Sequence, residues 1–149
     1  MSPLFQAVLG TFQHRGWHHH QVPGHEVIEC PFEAHHGKMA LHVQTFGEAH
    51  LTTTVVRAPV TVPLTHRSRA AELLMRTNEQ LNLGNFEMRW DTGEVFFRIS
   101  NLYPRDQYPE AVIAAQVHAA VAEMDRLTGF LGELCRTSAQ ELVRLLEQQ

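Results

Sequence analysis

The chain has 149 residues, enough for one domain, and 44% of them are hydrophobic while 19% are charged, which is typical of a folded protein rather than a disordered one. The formal net charge is −4, and one lysine and eleven scattered arginines do not predict a nucleic-acid interface, which needs clustered basic residues. No run of about 18 apolar residues predicts a membrane span. Two distant cysteines, Cys30 and Cys135, indicate reduced thiols in a cytoplasmic protein.

The first predicted element is a helix that begins near the N-terminus. Ser2 is a good N-cap residue, and Pro3 suits the first helical turn because its missing N–H has no partner there. An apolar stripe follows and Gly16 ends it; the stripe contains Leu4, Phe5, Val8, Leu9 and Phe12. This pattern predicts an amphipathic helix that packs on a core.

Three runs with period-two alternation follow, and they predict three antiparallel strands. A three-residue loop at 47–49 is favoured between the second and third strands, because it sets Leu41 opposite Val55 with both side chains facing the core. The same register places Phe46 and Val56 together on the outer face of this hairpin.

Two further strands are predicted around the sequence DTGE, which is typical of a turn. A four-residue loop at 91–94 sets Trp90 opposite Val95, with both facing the core. On the outer face this register brings Glu87 across from Arg98, a charge pair that contributes about 0.2–1 kcal/mol in a sheet.

Two more helices are predicted, one in the middle of the chain and one at its end. Thr65 is a candidate cap for a helix at 66–81. The last pattern runs from about Pro109 to Glu147, which is roughly 58 Å at 1.5 Å per residue and longer than a small domain is wide. Either this helix breaks near Gly129 and Gly132, or its far end packs on another chain. The tail from about 133 to 149 is therefore a candidate oligomer contact.

Together these elements predict a single α+β domain over residues 1–149. The order is helix, three strands, helix, two strands and long helix, with about five strands in one antiparallel sheet and the helices on one of its faces.

Several short motifs resemble the YbjN family of bacterial proteins, which are described as sensory transduction regulators. The similarity covers roughly residues 25–135 and depends on these segments: Leu83-Gly84-Asn85-Phe86, Asp91-Thr92-Gly93-Glu94-Val95, Ala71-Glu72-Leu73-Leu74 with Asn78 and Asn82, and Met124-Asp125-Arg126. The resemblance implies a type III secretion chaperone-like fold with a strongly curved sheet, often paired as a dimer. The family has no agreed catalytic residues to carry over, and no cofactor is expected.

The function expected from this reasoning is non-enzymatic protein binding or regulation, with a homodimer as the expected state. Exposed apolar side chains on a sheet or on a helix end can mark a partner surface. The candidate partner-binding residues are Phe46, Val56 and Phe96 on the outer face of the sheet, and Leu142 and Leu145 on the last helix. The partner itself is an unidentified protein.

A metal-binding function is the alternative, because the segment GWHHHQVPGHE concentrates histidines. In an extended segment His18 and His20 point the same way, and the candidates for a third ligand are His25, His35, His36, His42 and Glu26. The other interpretation is a solvated strand edge that captures nickel or zinc only adventitiously, because the spacing matches no standard zinc motif. Other chemistry has little support: Cys30 alternates with core residues, and no GxSxG sequence occurs.

Overall fold

The computed structural model describes residues 1–137 together with Arg144 and Glu147. Within these residues the helices are α1 (Pro3–His14), α2 (Arg67–Asn78) and α3 (Glu110–Arg136). The strands are β1 (His20–Gln21), β2 (Val27–Ala34), β3 (Gly37–Phe46), β4 (Leu51–Thr61), β5 (Asn85–Met88) and β6 (Glu94–Leu102). They form one antiparallel sheet in the order β1-β2-β3-β4-β6-β5.

The predicted α+β class, with an antiparallel sheet and helices on one face, is confirmed. The sheet has six strands instead of five, because the two-residue β1 pairs with β2 at the edge. Within the described residues, no helix has the combination of length and hydrophobicity that is required to cross a bilayer.

Helix α1 forms as its sequence predicts. The side chain of Ser2 accepts a hydrogen bond from the N–H of Phe5 at 3.2 Å, which satisfies one of the free donors of the first turn. The Ser2 hydroxyl also donates to a carboxylate oxygen of Glu26 at 2.8 Å, so the cap is fixed to the segment that enters β2. The apolar stripe of α1 is buried in the core.

The predicted register of the β3–β4 hairpin is wrong by one residue. Residues 47–49 form a 3₁₀ turn, and His50 adds a fourth connecting residue in the left-handed conformation, with φ at 52°. Leu41 consequently pairs with Val56 instead of Val55. Because a shift of one residue reverses every side chain of a strand, Val56 faces the core and Val55 faces outward.

The β5–β6 hairpin differs from its predicted register by two residues. Met88 is the residue opposite Val95, and β5 ends before Trp90, which lies in the connecting loop with 55% of its surface exposed. The predicted pair of Glu87 and Arg98 is nevertheless present as an ion pair at 2.8 Å, because Arg98 reaches diagonally across the strands.

The loop of this hairpin is held against the end of β4. Gly93 has a φ of 79°, and its carbonyl accepts a hydrogen bond from the N–H of Val62 at 2.9 Å. A Cβ atom on Gly93 would lie 2.0 Å from the carbonyl oxygen of Val62, so only glycine is compatible with this approach. The guanidinium of Arg67 donates to the carbonyls of Val62, Trp90 and Asp91 at 3.1–3.2 Å and ties the same segments together.

Helix α2 begins and ends differently from its prediction. Thr65 is not its cap, since a 3₁₀ turn at Leu64–His66 leads into the helix and no side chain caps it. The helix stops at Asn78, where the side-chain amide accepts a hydrogen bond from the N–H of Phe86 at 2.8 Å and donates to the carbonyl of Phe86 at 3.1 Å. Asn78 thus joins the end of α2 to the edge strand β5.

Helix α3 covers the centre of the sheet, and a polar group lies in this contact. Gln116 is 5% exposed and sits among the apolar residues of the helix stripe. Its carbonyl oxygen accepts hydrogen bonds from the hydroxyls of Thr52 at 2.9 Å and Tyr103 at 3.2 Å, while its NH₂ donates to the carbonyl of Ile99 at 3.0 Å. The buried amide is therefore fully engaged, as a polar group inside a core must be.

Helix α3 does not break at its glycines. It continues through Gly129 and Gly132 and ends at Arg136, eleven residues before the predicted end at Glu147. At Thr137 the backbone becomes extended, with φ at −88° and ψ at 142°. The helix is therefore shorter than the rod that its apolar pattern predicts.

Candidate functional site

The face of the sheet opposite the helices is called the open face here; it consists of the outward-facing residues of β2, β3, β4 and β6. At one end of this face Phe46 pairs with Leu51, and Leu51 pairs with Leu102 on the next strand. These three side chains form an apolar row across three strands. Phe46 is 40% exposed and Leu102 is 71% exposed, so much of the row is in contact with solvent.

The middle of the open face is polar but largely uncharged. Thr53 and Ser100 pair across β4 and β6, and their hydroxyl oxygens are 2.9 Å apart. In the next row Val55 is only 4% exposed, because it lies between His42 and Arg98 on the neighbouring strands. Val55 therefore forms the floor of a shallow recess and not a projecting contact.

The far end of the open face is apolar again and has basic neighbours. Phe96 is half-buried, and the guanidinium carbon of Arg89 lies 5.4 Å from the centre of its ring. This distance is within the range of a cation–π contact. Arg57, opposite Phe96 on β4, is paired with Glu94 at 3.4 Å. Ala40 is opposite Arg57, and its small side chain does not fill this part of the recess.

Two polar contacts border the recess on two sides. His20 on β1 lies 2.8 Å from Glu29 on β2, and Arg98 lies 2.8 Å from Glu87 on β5. All four side chains are well exposed, so each pair contributes little to the free energy of unfolding. Arg98 and Glu87 neutralise each other, and the floor of the recess beside them is apolar.

His42 is the titratable group inside the recess, and its pKa lies below the ordinary value. Partial burial is the main cause, because it disfavours the charged imidazolium, and the positive charge of Arg98 acts in the same direction. The carboxylate of Glu29 opposes them but does not compensate. Neutral His42 is thus the form that the folded protein favours.

We expect His42→Gln to flatten the pH dependence of stability. Because the pKa of His42 is lower in the folded than in the unfolded protein, the free energy of unfolding falls as the pH drops below about 6.5 and levels off beneath the folded pKa. Urea unfolding at several pH values between 7.5 and 5 measures this slope. The matched control is His25→Gln, which removes an exposed imidazole, and an unchanged slope in His42→Gln would contradict the assignment.

The predicted partner-binding residues do not all lie together. Phe46 and Phe96 are both on the open face, at its two ends. The placement of Val56 on the outer face is wrong: this residue is 0% exposed and packs in the core, because of the register difference in the hairpin. Leu142 and Leu145 lie outside the described residues.

Sequence reasoning missed Leu51 and Leu102, two members of the apolar row. The predicted register turns Val55 toward the core, and Leu51, four residues earlier on the same strand, turns the same way with it. Leu102 could have been found by continuing the alternation of β6 outward from Phe96 through positions 98 and 100.

The histidine-rich segment does not assemble into a ligand group in the described part of the chain. His20 is engaged with Glu29, and the backbone carbonyl of His18 accepts a contact from the thiol of Cys30 at 2.9 Å. His25 is exposed on the turn between β1 and β2. Among residues 1–137, 144 and 147, no three histidine, cysteine or acidic side chains are placed to hold one metal ion.

Cys30 is a core residue, as its alternation with apolar neighbours predicts. It is 3% exposed, and burial raises the pKa of its thiol to about 11. A thiol with such a pKa is protonated at neutral pH and is a poor nucleophile.

Comparison with known proteins supports the fold class. No family model and no curated protein sequence matches the chain. One chain of the crystal structure of the ExsC–ExsE complex is similar in structure, with a TM-score of 0.59 and 11% sequence identity, over 88% of this chain and 97% of that chain. The chain thus shares its fold with that protein.

Proposed function

We propose that this protein is a non-enzymatic, chaperone-like module that binds a protein partner on the open face. The observation that supports this proposal is the apolar row of Phe46, Leu51 and Leu102 on the face that the helices leave uncovered. Leu51 lies between Phe46 and Leu102 and joins them into one apolar patch, and contiguous exposed apolar side chains of this kind mark interaction surfaces.

The arrangement of the open face favours an extended segment of the partner as the ligand. Such a segment presents every second side chain to one side. Apolar residues at alternate positions can therefore contact the apolar row at one end of the face and Phe96 at the other end. The hydroxyls of Thr53 and Ser100 lie between these two contacts. Binding on the face is also favoured over strand addition to β5, where Asn78 already bonds the N–H and carbonyl of Phe86.

Three finer points belong to the same proposal. We propose that the protein acts as a homodimer in the cytoplasm, and that it belongs to the YbjN family, on the strength of the motifs in β5, β6, α2 and α3. The similarity to a chain from a solved two-protein complex supports a protein partner in general.

The double substitution Phe46→Ser with Leu102→Ser tests the role of the apolar row. We expect it to weaken binding of extended apolar peptides by about tenfold or more, because a loss of 1.4 kcal/mol of contact energy corresponds to a factor of ten in Kd. Both side chains are partly or mostly exposed, so the fold should persist. Fluorescence anisotropy with labelled peptides selected from an array of unstructured sequences measures the affinity.

The matched control is Leu64→Ser with Met75→Ser, which removes two apolar side chains that are 74% and 70% exposed around α2. This control should bind the peptides as the unaltered protein does. Equal affinity of the two double variants would show that the open face is not the binding surface. Circular dichroism on both variants establishes that each is folded.

A further inference from the structure

The open face forms a shallow trough along β4, with β3 and β6 as its sides. Thr53 on β4 is 7% exposed, whereas its neighbours Gln44 and Ser100 are exposed on the two sides. An extended segment that lies along β4 advances by about 3.3 Å per residue, as the strand beneath it does. A side chain above Leu51 is therefore followed, four positions and about 13 Å farther on, by a side chain above Val55.

The recess of the open face lies at this second position and is open to solvent. Its volume is about 460 Å³, and its lining includes Pro31, Ala40, His42 and Phe96. Pro31 and Ala40 are exposed, and His42 and Phe96 are half-buried, so apolar surface on its walls is uncovered. Sites that hold small apolar groups have volumes of about 300–1,000 Å³. The recess therefore has room for a partner side chain.

His42 is the part of the recess wall that can change its charge near neutral pH. Glu29 is opposite it on β2 and contacts His20 on β1. Arg98 faces it from β6, and Arg57 lines the recess from β4. Burial and the positive charge of Arg98 lower the pKa of His42, so its imidazole is neutral at pH 7.

A charged partner side chain does not fit the recess. The two guanidinium groups there already have carboxylate partners: Arg98 lies 2.8 Å from Glu87, and Arg57 lies 3.4 Å from Glu94. A carboxylate of the partner would have to displace one of these glutamates, and a cation would lie beside two like charges. Because a buried charge without a partner is costly, the recess favours an uncharged side chain.

We propose that His42 is the specificity residue of the open face and selects extended partner segments by the residue four positions from their apolar anchor. The anchor contacts the apolar row, and the residue above His42 is uncharged. A small polar residue between them lies above Thr53 and Ser100. Because a covered imidazolium would lose its hydration, protonation of His42 expels the side chain above it, and binding weakens as the pH falls. This selection rests on the proposed binding function of the open face.

Fluorescence anisotropy with a labelled peptide tests the selection. The peptide has leucine as the anchor, threonine two positions later, valine four positions later, blocked ends and no titratable side chain. We expect its affinity to fall by about tenfold between pH 7.5 and 5, because binding and protonation compete. Lysine or glutamate in place of the valine should weaken binding at pH 7.5 by about tenfold or more.

Two variants separate His42 from the other histidines. His42→Gln should bind the valine peptide with the same affinity at both pH values, because glutamine stays neutral. The matched control His25→Gln removes an exposed imidazole outside the recess and should retain the pH dependence. Circular dichroism at each pH establishes that both variants are folded.

An NMR titration of the His42 imidazole in the unaltered protein gives a readout that does not depend on a variant. Saturating peptide should move the midpoint of His42 about one pH unit lower, as a tenfold change in affinity requires. An unmoved midpoint, or a pH dependence that persists in His42→Gln, would overturn the role of His42. The binding function would still stand if Phe46→Ser with Leu102→Ser abolished binding.

Two other results would also overturn the selection. Failure of the unaltered protein to bind the valine peptide at any pH would contradict both the selection and the proposed function. A His42 midpoint that falls with rising protein concentration in the absence of peptide would show that a second copy of the chain occupies the recess.

Discussion

Gly93→Ala is expected to lower the free energy of unfolding by about 3–5 kcal/mol, or to prevent folding. An alanine there places its Cβ 2.0 Å from the carbonyl oxygen of Val62, which is main chain and cannot rotate away. The positive φ of 79° adds about 1–2 kcal/mol for any residue with a side chain. Relief would require the loop to withdraw from β4, which breaks the hydrogen bond from Val62 and the contacts of Arg67. Urea unfolding measures the loss.

The matched control for this substitution is Gly10→Ala in the interior of α1. A Cβ atom at Gly10 has no neighbour within 4 Å, and alanine is the better helix former by about 0.5–1 kcal/mol. We therefore expect Gly10→Ala to be slightly stabilising. If Gly93→Ala were as stable as the unaltered protein, the close approach of the hairpin loop to Val62 would be wrong.

Gln116→Leu is expected to cost about 2–4 kcal/mol, although leucine is close to glutamine in size. The substitution removes the acceptor of the Thr52 and Tyr103 hydroxyls and the donor to the carbonyl of Ile99. Because these groups are buried beneath α3, they lose their hydrogen bonds without gaining water. Chemical denaturation measures the effect. Gln13→Leu, an exposed position on α1, should change the free energy of unfolding by less than about 0.5 kcal/mol.

A triple variant separates lost hydrogen bonds from poor packing. Replacing both partners of a buried hydrogen bond with apolar groups of similar shape is nearly neutral, whereas removing one partner is costly. We expect Thr52→Val and Tyr103→Phe to recover much of the stability that Gln116→Leu loses. If the destabilising effects of the three substitutions simply added, the triple variant would be less stable than Gln116→Leu alone. That result would show that the hydrogen-bond network is not the source of the stability lost in Gln116→Leu.

Local chemistry was sufficient to predict the three helices and five of the six strands, although not where α2 and α3 end. The Ser2-Pro3 start and the apolar stripe of α1 specify that helix within the sequence itself, because capping and periodicity are local properties. The alternation in β2, β3, β4 and β6 identified the strands and the face of Phe96 in the same way. These signals depend on a few neighbouring residues, so they can be interpreted without knowledge of the tertiary structure.

The pairing registers could not be predicted as well, because they depend on single residues in the connections. His50 adopts a left-handed conformation that is uncommon for any residue other than glycine, and this one residue moves Val56 into the core and Val55 out of it. The end of α3 is a similar case. No glycine or proline follows Arg136, so nothing local predicts that the helix stops at Thr137 beside His66.

The same limitation affected the candidate site. Phe46 and Phe96 were placed on the correct face by alternation, but the apolar row became visible only with the true register, which aligns Leu51 and Leu102 beside Phe46. Which residues neighbour one another across strands is a property of the sheet and not of any single strand.

The amide of Asn78 has a consequence for the behaviour of the protein at high concentration. An edge strand with free N–H and carbonyl groups is a template on which other chains can polymerise into fibrils. By bonding both backbone groups of Phe86, the carboxamide acts as a one-residue mimic of the next strand and terminates the growth of the sheet at β5. At the opposite edge β1 is only two residues long, too short to guide an incoming strand. Both edges thus carry a feature that opposes edge-to-edge pairing, at Phe86 on β5 and at residues 28–29 of β2.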